Sequence, residues 1–276
     1  MTNGPIRVER EISGVRIAIE TGQVARQAGG SVILTLGDSK VFAAVTAGKA
    51  REDIDFFPLL CDYREKNEAG GKIPGGFFKR EARPTTKEIL TMRLIDRSIR
   101  PMFPDGYKEE VQVLTHALQY DGKNNTDVAA MIAGFAAVRI SGLPFDATLG
   151  AVRVGRVDDE FVVFPEDPVR REESTLDLVV SGHEGGLAMV ESSAKQLPEE
   201  VMVDALECAH KVILEVVSLI DELTEKVGKP QAEFNAPAVD EALKAQVFER
   251  EEAMTTAVRT QGKQDRHDAL AAIKNE

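Results

Sequence analysis

Cysteine is nearly missing from this chain. Cys61 and Cys208 are its only two, too few for a disulfide framework and without metal-ligand spacing, so both are expected to be reduced, cytosolic thiols. Long apolar runs are missing too: none reaches membrane-spanning length, and the opening MTNGPIRVEREISG has no apolar signal core. A soluble, cytoplasmic protein with no membrane partner is the expectation. The familiar catalytic signatures are also absent. The sequence has no Walker loop, no Gly-x-Gly-x-x-Gly after a strand, no His-Glu-x-x-His and no Gly-x-Ser-x-Gly. Its four histidines, His116, His183, His210 and His267, are scattered, which suits structural roles better than a catalytic constellation. Such a chain is suited to bind a polymer without completing an active site by itself.

What remains is large and acidic. The 276 residues, 43% of them hydrophobic, can bury a sizeable core as one large domain or two smaller ones. The formal charge of −12 argues against a basic coat for nucleic acid, yet one stretch runs the other way. From Lys72 to Arg100 eight cations stand against three acids, Glu81, Glu88 and Asp96. An acidic body with one basic patch confines an anionic polymer to that patch; the plainer reading is a solvated helix face. The stretch begins at the flexible turn Gly70-Gly71-Lys72-Ile73-Pro74-Gly75-Gly76, followed by Phe77 and Phe78 and then Lys79, Arg80 and Arg83. Adjacent aromatics on an extended segment point opposite ways, so at least one is expected at the surface beside cations. Aromatic faces and guanidinium groups on a mobile turn suit a single-stranded polynucleotide, its bases stacked and its phosphates neutralised.

Taken in order, the chain alternates strand and helix signals. Residues 5–21 read as two short strands about Ser13-Gly14, and residues 32–46 as a hairpin about Gly37-Asp38-Ser39. Phe56 to Tyr63 reads as extended. A helix is predicted from Thr85 or Thr86, with Thr as N-cap, Glu88 as capping-box partner and Pro101 as the stop. Arg93, Arg97 and Arg100 fall on one face of that helix, either as a row of bidentate phosphate donors or as partners of acids such as Asp96. Then come a strand over Val111–Tyr120, a buried Ala-rich helix over Asp127–Ile140, a hairpin within 149–164, and a strand pair over Leu176–Ser181 and Leu187–Glu191. A long amphipathic helix follows Pro198 and stops at Gly228-Lys229-Pro230, a Gly C-cap with Pro beyond it. Past Pro230 the sequence is helix-forming, charged and free of strand signals. It closes at Asn275-Glu276 inside a helical pattern, as a helical domain cut short would.

Several of these segments together resemble the polynucleotide phosphorylase family. They are Gly22-Gln23-Val24-Ala25-Arg26-Gln27-Ala28-Gly29-Gly30-Ser31-Val32, Gly37-Asp38-Ser39, Phe56-Phe57-Pro58-Leu59, the run from Gly71 to Glu81, and the run from Arg93 to Pro101. The resemblance covers the whole chain. It implies an α+β fold: an RNase PH-type core of mixed sheets packed with helices, with ribosomal-protein-like βαβ units, over residues 1–232, and the start of an all-helical domain over 233–276. It further implies a phosphate-dependent 3′-to-5′ exoribonuclease acting in mRNA decay, a homotrimeric ring built through the core domains. Single-stranded RNA is the implied substrate and inorganic phosphate the co-substrate. Mg²⁺ assists at a site outside this chain, other RNA-degradation proteins are partners, and DNA is not. By position, Phe77, Phe78, Lys79, Arg80 and Arg83 would grip RNA in the pore. Where the family often has Arg, Lys79 keeps the charge and loses the planar fork.

The family's chemistry belongs to a second core domain, so no catalytic residue is expected among these. Single-domain RNase PH enzymes carry Gly-Gly-Thr-Arg at the start of the buried helix, where the Arg and the helix N-terminus hold phosphate. The matching run is Asn124-Asn125-Thr126-Asp127, and its acid would repel phosphate there. Two other readings remain beside the enzyme part: a non-catalytic RNA-binding ring subunit of an exosome-like assembly, and an RNA-free scaffold.

Overall fold

The structure, a computed structural model, describes residues 4–49, 54–77, 79–80, 83–145, 147–236, 238 and 240–275. Its first sheet grows from local hairpins. β1 (Ile6–Ile12) pairs antiparallel with β2 (Val15–Thr21), and β3 (Gly30–Leu36) with β4 (Ser39–Gly48). Strict alternation turns Val8, Ile12, Ile17, Ile19, Val32 and Leu34 inward, and full burial of each contributes about 2 kcal/mol. β5 (Leu59–Glu65) and β6 (Glu110–Gln119) instead run parallel, with α1 (Thr86–Ile99) carried between them as a crossover. The strand order is β1-β2-β3-β4-β6-β5. The candidate RNA loop therefore lies inside a βαβ unit.

The core forms around α2 (Thr126–Ile140), of which every residue except Arg139 is buried. Its alanines let it pack against β3, β4 and β6, against α1, and against β7 of a second sheet. That sheet orders β10-β9-β7-β8, from β7 (Gly150–Val157), β8 (Glu160–Val163), β9 (Leu176–His183) and β10 (Gly186–Ala194). α4 (Glu199–Val227) covers β7 and β9 with the stripe Ala205, Ala209, Ile213, Val216, Ile220 and Leu223. The closest approach is at Gly30, where an added Cβ would sit 2.1 Å from the Ala137 carbonyl oxygen. Gly30→Ala is expected to lose about 1–3 kcal/mol, the usual cost of overpacking. A thermal midpoint that does not fall would mean that α2 can move off β3.

The loop before α2 is organised by one carboxylate. Asp121 accepts hydrogen bonds from the amides of Lys123 (2.8 Å), Asn124 (2.7 Å) and Asp38 (3.1 Å) and from the Asn124 side chain (2.6 Å). Burial pushes its pKa up, but the Asn124 side chain and the three amides outweigh that and hold it at about 2. A depressed carboxylate pKa adds stability that is complete above the unfolded value of about 3.9 and fades as pH falls toward the folded one. Asp121→Asn is therefore expected to cost roughly 1 kcal/mol at neutral pH after solvent screening, with the gap to the unaltered chain closing between about pH 4 and 2. Urea titrations across that range check it; a gap constant with pH would contradict the assignment.

Three local expectations need correction. β5 begins at Leu59 rather than Phe56, because Phe57 leaves the sheet for an aromatic cluster with Phe103 (4.8 Å between centroids) and Tyr107 (5.4 Å). A short helix, α3 (Asp167–Glu172), fills a segment for which no element is expected above, with Pro168 and Asp167 in its first turn and Arg170 and Arg171 in its last. Gly228 ends α4 at φ −58°, not in the left-handed region. Its requirement is close approach, since a Cβ would lie 2.5 Å from the Thr224 carbonyl oxygen. Two compact units result, Met1–Phe234 and Asn235–Glu276. The second is three short helices, α5 (Glu241–Phe248), α6 (Glu251–Val258) and α7 (Lys263–Asn275), with Asp240 capping α5. Among the described residues no helix is long and apolar enough to cross a membrane.

Candidate nucleic-acid interface

The segment between β5 and α1 leaves the sheet through a 3-10 turn, Asn67–Gly70, and turns sharply at Gly71 (φ 68°) and Gly76 (φ 71°). Both glycines have open space where a Cβ would be, so backbone angle alone requires them. The turn presents its side chains outward. Phe77 is 93% exposed and Ile73 92%, and Lys72, Lys79, Arg80 and Arg83 are exposed around them. Among the described residues none of these four cations has a carboxylate partner. Phe78 lies outside the described residues.

α1 supplies the footing. Thr85 caps it through a reciprocal capping box with Glu88, as the sequence predicts. Glu88 is buried and does more than cap: one carboxylate oxygen accepts from the Thr85 amide (2.6 Å), the other from the Glu65 amide (2.9 Å) at the end of β5. Burial raises its pKa, and the Glu65 and Thr85 amides outweigh that, so it stays ionised below the usual range. Next to it, the buried Tyr63 hydroxyl bonds Glu65 (2.5 Å) and Thr126 (2.6 Å), and Lys87 pairs with Glu65 at 2.7 Å. The three arginines divide. Arg97 pairs with Glu191 (2.7 Å). Arg100 pairs with Asp96 (2.5 Å), donates to the carbonyls of Phe57 (3.0 Å) and Leu59 (3.3 Å), and lies over the Phe57 ring. Arg93 is exposed with no carboxylate partner among the described residues.

Behind α1 lies a cavity of about 520 Å³ whose charged lining includes Lys87, Arg93, Arg97, Asp127, Arg153 and Asp177. Asp127 is not a bare acid at the N-terminus of α2. Arg153, buried on β7, donates two parallel bonds to it, both 3.0 Å, and pairs through Nε with Asp177 at 2.9 Å. Burial opposes the Arg153 charge, but Asp127 and Asp177 outweigh it and keep the guanidinium firmly protonated. The alternation continues: Arg170 bridges Asp177 (2.7 Å) and Asp167 (3.2 Å), and Asp167 also accepts from Tyr120 (2.8 Å) and Asn125 (3.1 Å). On the Asn124–Asn125 side, under Phe164, only about 10 Å³ is left, the limit for one water. The anion position of α2 is occupied by the chain's own carboxylate. Arg153 was the missed residue, and its signal was a charge inside the apolar strand Ala151-Val152-Arg153-Val154. Among the described residues no cluster of three or more His, Cys, Asp or Glu could hold a metal.

Residues 15–144 match the model of the 3′ exoribonuclease family, domain 1, and residues 147–212 match that of domain 2 of the same family. This chain belongs to the 3′ exoribonuclease family. Over 270 residues it is 46% identical to the polyribonucleotide nucleotidyltransferase of Rhodopirellula baltica, covering 98% of this chain and 36% of that protein. Over 275 residues it is 46% identical to that of Rhodospirillum centenum, covering 97% and 38%. The chain thus spans little more than a third of the length of the curated relatives it matches, corresponding to their N-terminal part. Among solved structures, the 3′ exoribonuclease fold is shared with a chain of the Archaeoglobus fulgidus exosome with RNA bound to the active site (TM-score 0.54, 19% identity, 81% of this chain and 87% of that one). It is also shared with rice Rrp46 (TM-score 0.58, 13% identity, 80% and 94%). The α+β, RNase PH-type architecture expected from the motifs is borne out.

Proposed function

We propose that this chain is the RNA-guiding part of a phosphate-dependent 3′-to-5′ exoribonuclease, a polyribonucleotide nucleotidyltransferase of mRNA decay. In that reaction inorganic phosphate attacks the terminal phosphodiester. The last nucleotide leaves as a nucleoside diphosphate, and the shortened RNA keeps a 3′-hydroxyl. The observation that carries the reading is the exposed loop that bears Phe77 and the cations Lys79, Arg80 and Arg83, these three without carboxylate partners among the described residues, in a chain of net charge −12. Phe77 would stack on bases, these three cations together with Lys72 would take successive phosphates, and Arg93 would extend the track. Arg97 and Arg100, already paired, would shape α1 instead.

Phosphorolysis itself is assigned to the part of the relatives that this chain does not span. Asp127, held by Arg153, supports that division, because a fixed carboxylate at a helix N-terminus excludes a second anion. Among the described residues no cluster of His, Cys, Asp or Glu would seat Mg²⁺, whose site is assigned to the same part of the relatives. A homotrimer joined through the core units, association with other RNA-degradation proteins, and a cytoplasmic location belong to the same proposal; the free thiols Cys61 and Cys208 suit a reducing compartment. Residues 1–232 would form the core and 233–276 the beginning of a helical domain. The test is an assay of the 276-residue chain with RNA, phosphate and Mg²⁺. It is expected to bind RNA and release no nucleoside diphosphate, and release above background would overturn the division of labour.

A further inference from the structure

The segment Gly22 to Gly30 helps to mark the family, yet it takes no part in the RNA loop or in the Asp127–Arg153 cluster. In the fold it joins β2 to β3 and walls an open cavity of about 460 Å³, closed on the other side by Ile140 from α2 and by Val227 and Lys229 from the end of α4. That volume is in the range of small-molecule sites.

The lining has a consistent chemistry. It contains Arg26 and Lys229 and no Asp or Glu. Both cations donate to main-chain carbonyls, Arg26 Nε to Gly22 at 3.1 Å and Lys229 Nζ to Gly29 at 2.5 Å. Neither has a carboxylate partner among the described residues, whereas Arg7, Arg10, Arg64, Arg97 and Arg153 all do. Two further carbonyls of the loop are used internally: Val24 accepts from the Ser31 hydroxyl (2.8 Å) and Ala25 from the Ala28 amide (2.9 Å). The amides of Val24, Ala25, Arg26 and Gln27 donate to no protein acceptor among the described residues. The loop thus leaves four amides beside two cations in a wall free of carboxylates, a composition that suits an anion. Ala25 is held at φ 49°, a left-handed angle unfavourable for a residue with a Cβ and recurrent at ligand clamps.

We propose that this cavity binds the phosphate group of a small phosphorylated ligand, inorganic phosphate or a nucleoside diphosphate. The two Nη groups of Arg26 are free to take two oxygens side by side, Lys229 adds a point charge, and the loop amides complete the cradle. The site is formed by segments 200 residues apart in sequence, the loop and the end of α4. It stands independently of the RNA reading.

The experiment is isothermal titration calorimetry of the 276-residue chain at low salt with inorganic phosphate, with ADP, and with a short oligo(A). ADP or phosphate is expected to bind saturably at one equivalent, and Arg26→Gln/Lys229→Gln to weaken that binding by about tenfold or more, the scale of one charge-assisted hydrogen bond. The melting temperature and oligo(A) affinity should not change. Equal affinity for phosphate and ADP would mean that the phosphate alone is recognised; tighter ADP binding would add a nucleoside contact, and either supports the site. Should the double variant melt early, Lys229→Gln alone carries the comparison. The proposal is overturned by the absence of saturable phosphate or ADP binding, by binding that the variants leave intact, or by binding lost instead in Phe77→Ala/Arg80→Ala.

Discussion

Arg153→Ala is expected to destabilise the first unit by about 3–5 kcal/mol, the range for removing one partner of a buried ion pair. The guanidinium pairs with two carboxylates, Asp127 and Asp177. Without it Asp127, 6% exposed in the first turn of α2, loses its ion-pair partner, while Asp177 retains Arg170 at 2.7 Å. Equilibrium urea unfolding would read the loss as a lower midpoint at unchanged slope. The pair is not thereby a net source of stability. Asp127→Leu combined with Arg153→Met, which removes both charges at similar volume, is expected to recover most of the loss. A single-variant effect below about 1 kcal/mol would mean that water reaches the pair, which is the range of exposed bridges.

The second large effect is on binding. Replacing Phe77, Lys72, Lys79, Arg80 and Arg83 together by Ala is expected to weaken single-stranded RNA binding on the order of a hundredfold or more, with one stack alone accounting for about 1–3 kcal/mol. The salt dependence separates the parts. Each lost phosphate contact should flatten the slope of log K against log salt by about 0.7, so the four cations account for nearly 3 and Phe77 for almost none. Arg93→Ala should take a further fraction of that slope, whereas Arg100→Ala should act on stability, because its donors are already committed to Asp96, Phe57 and Leu59. Fluorescence anisotropy across a salt series measures all of these. An unchanged slope in the five-fold variant would remove the loop from the interface.

Local physics made most of the fold legible. The capping box at Thr85, the alternation of β1 to β4 and the stripe of α4 are written in neighbouring residues, and they appear where the sequence puts them. Terms set by distant contacts were not legible. The β5 boundary depends on Phe57 meeting Phe103 and Tyr107, and Gly228 matters through Thr224 rather than through its own angle. The same holds for the site. The exposed, cationic character of the loop could be read from composition. Asp127 could be read as an acid at a helix N-terminus, but its partner Arg153 is 26 residues away on a strand of the second sheet. Only the fold tells which of Arg93, Arg97 and Arg100 has no acid partner among the described residues.

The two bonds of Glu88 have a thermodynamic consequence for the loop. By holding the amides of Glu65 and Thr85 on one carboxylate, that side chain joins the two ends of the excursion between them. Closing a loop carries an entropic cost that grows only with the logarithm of its length. Glu88 meets that cost at the base of the excursion, where its two oxygens hold both ends at once. A single buried carboxylate thus fastens the end of β5 to the start of α1, and losing it would release both.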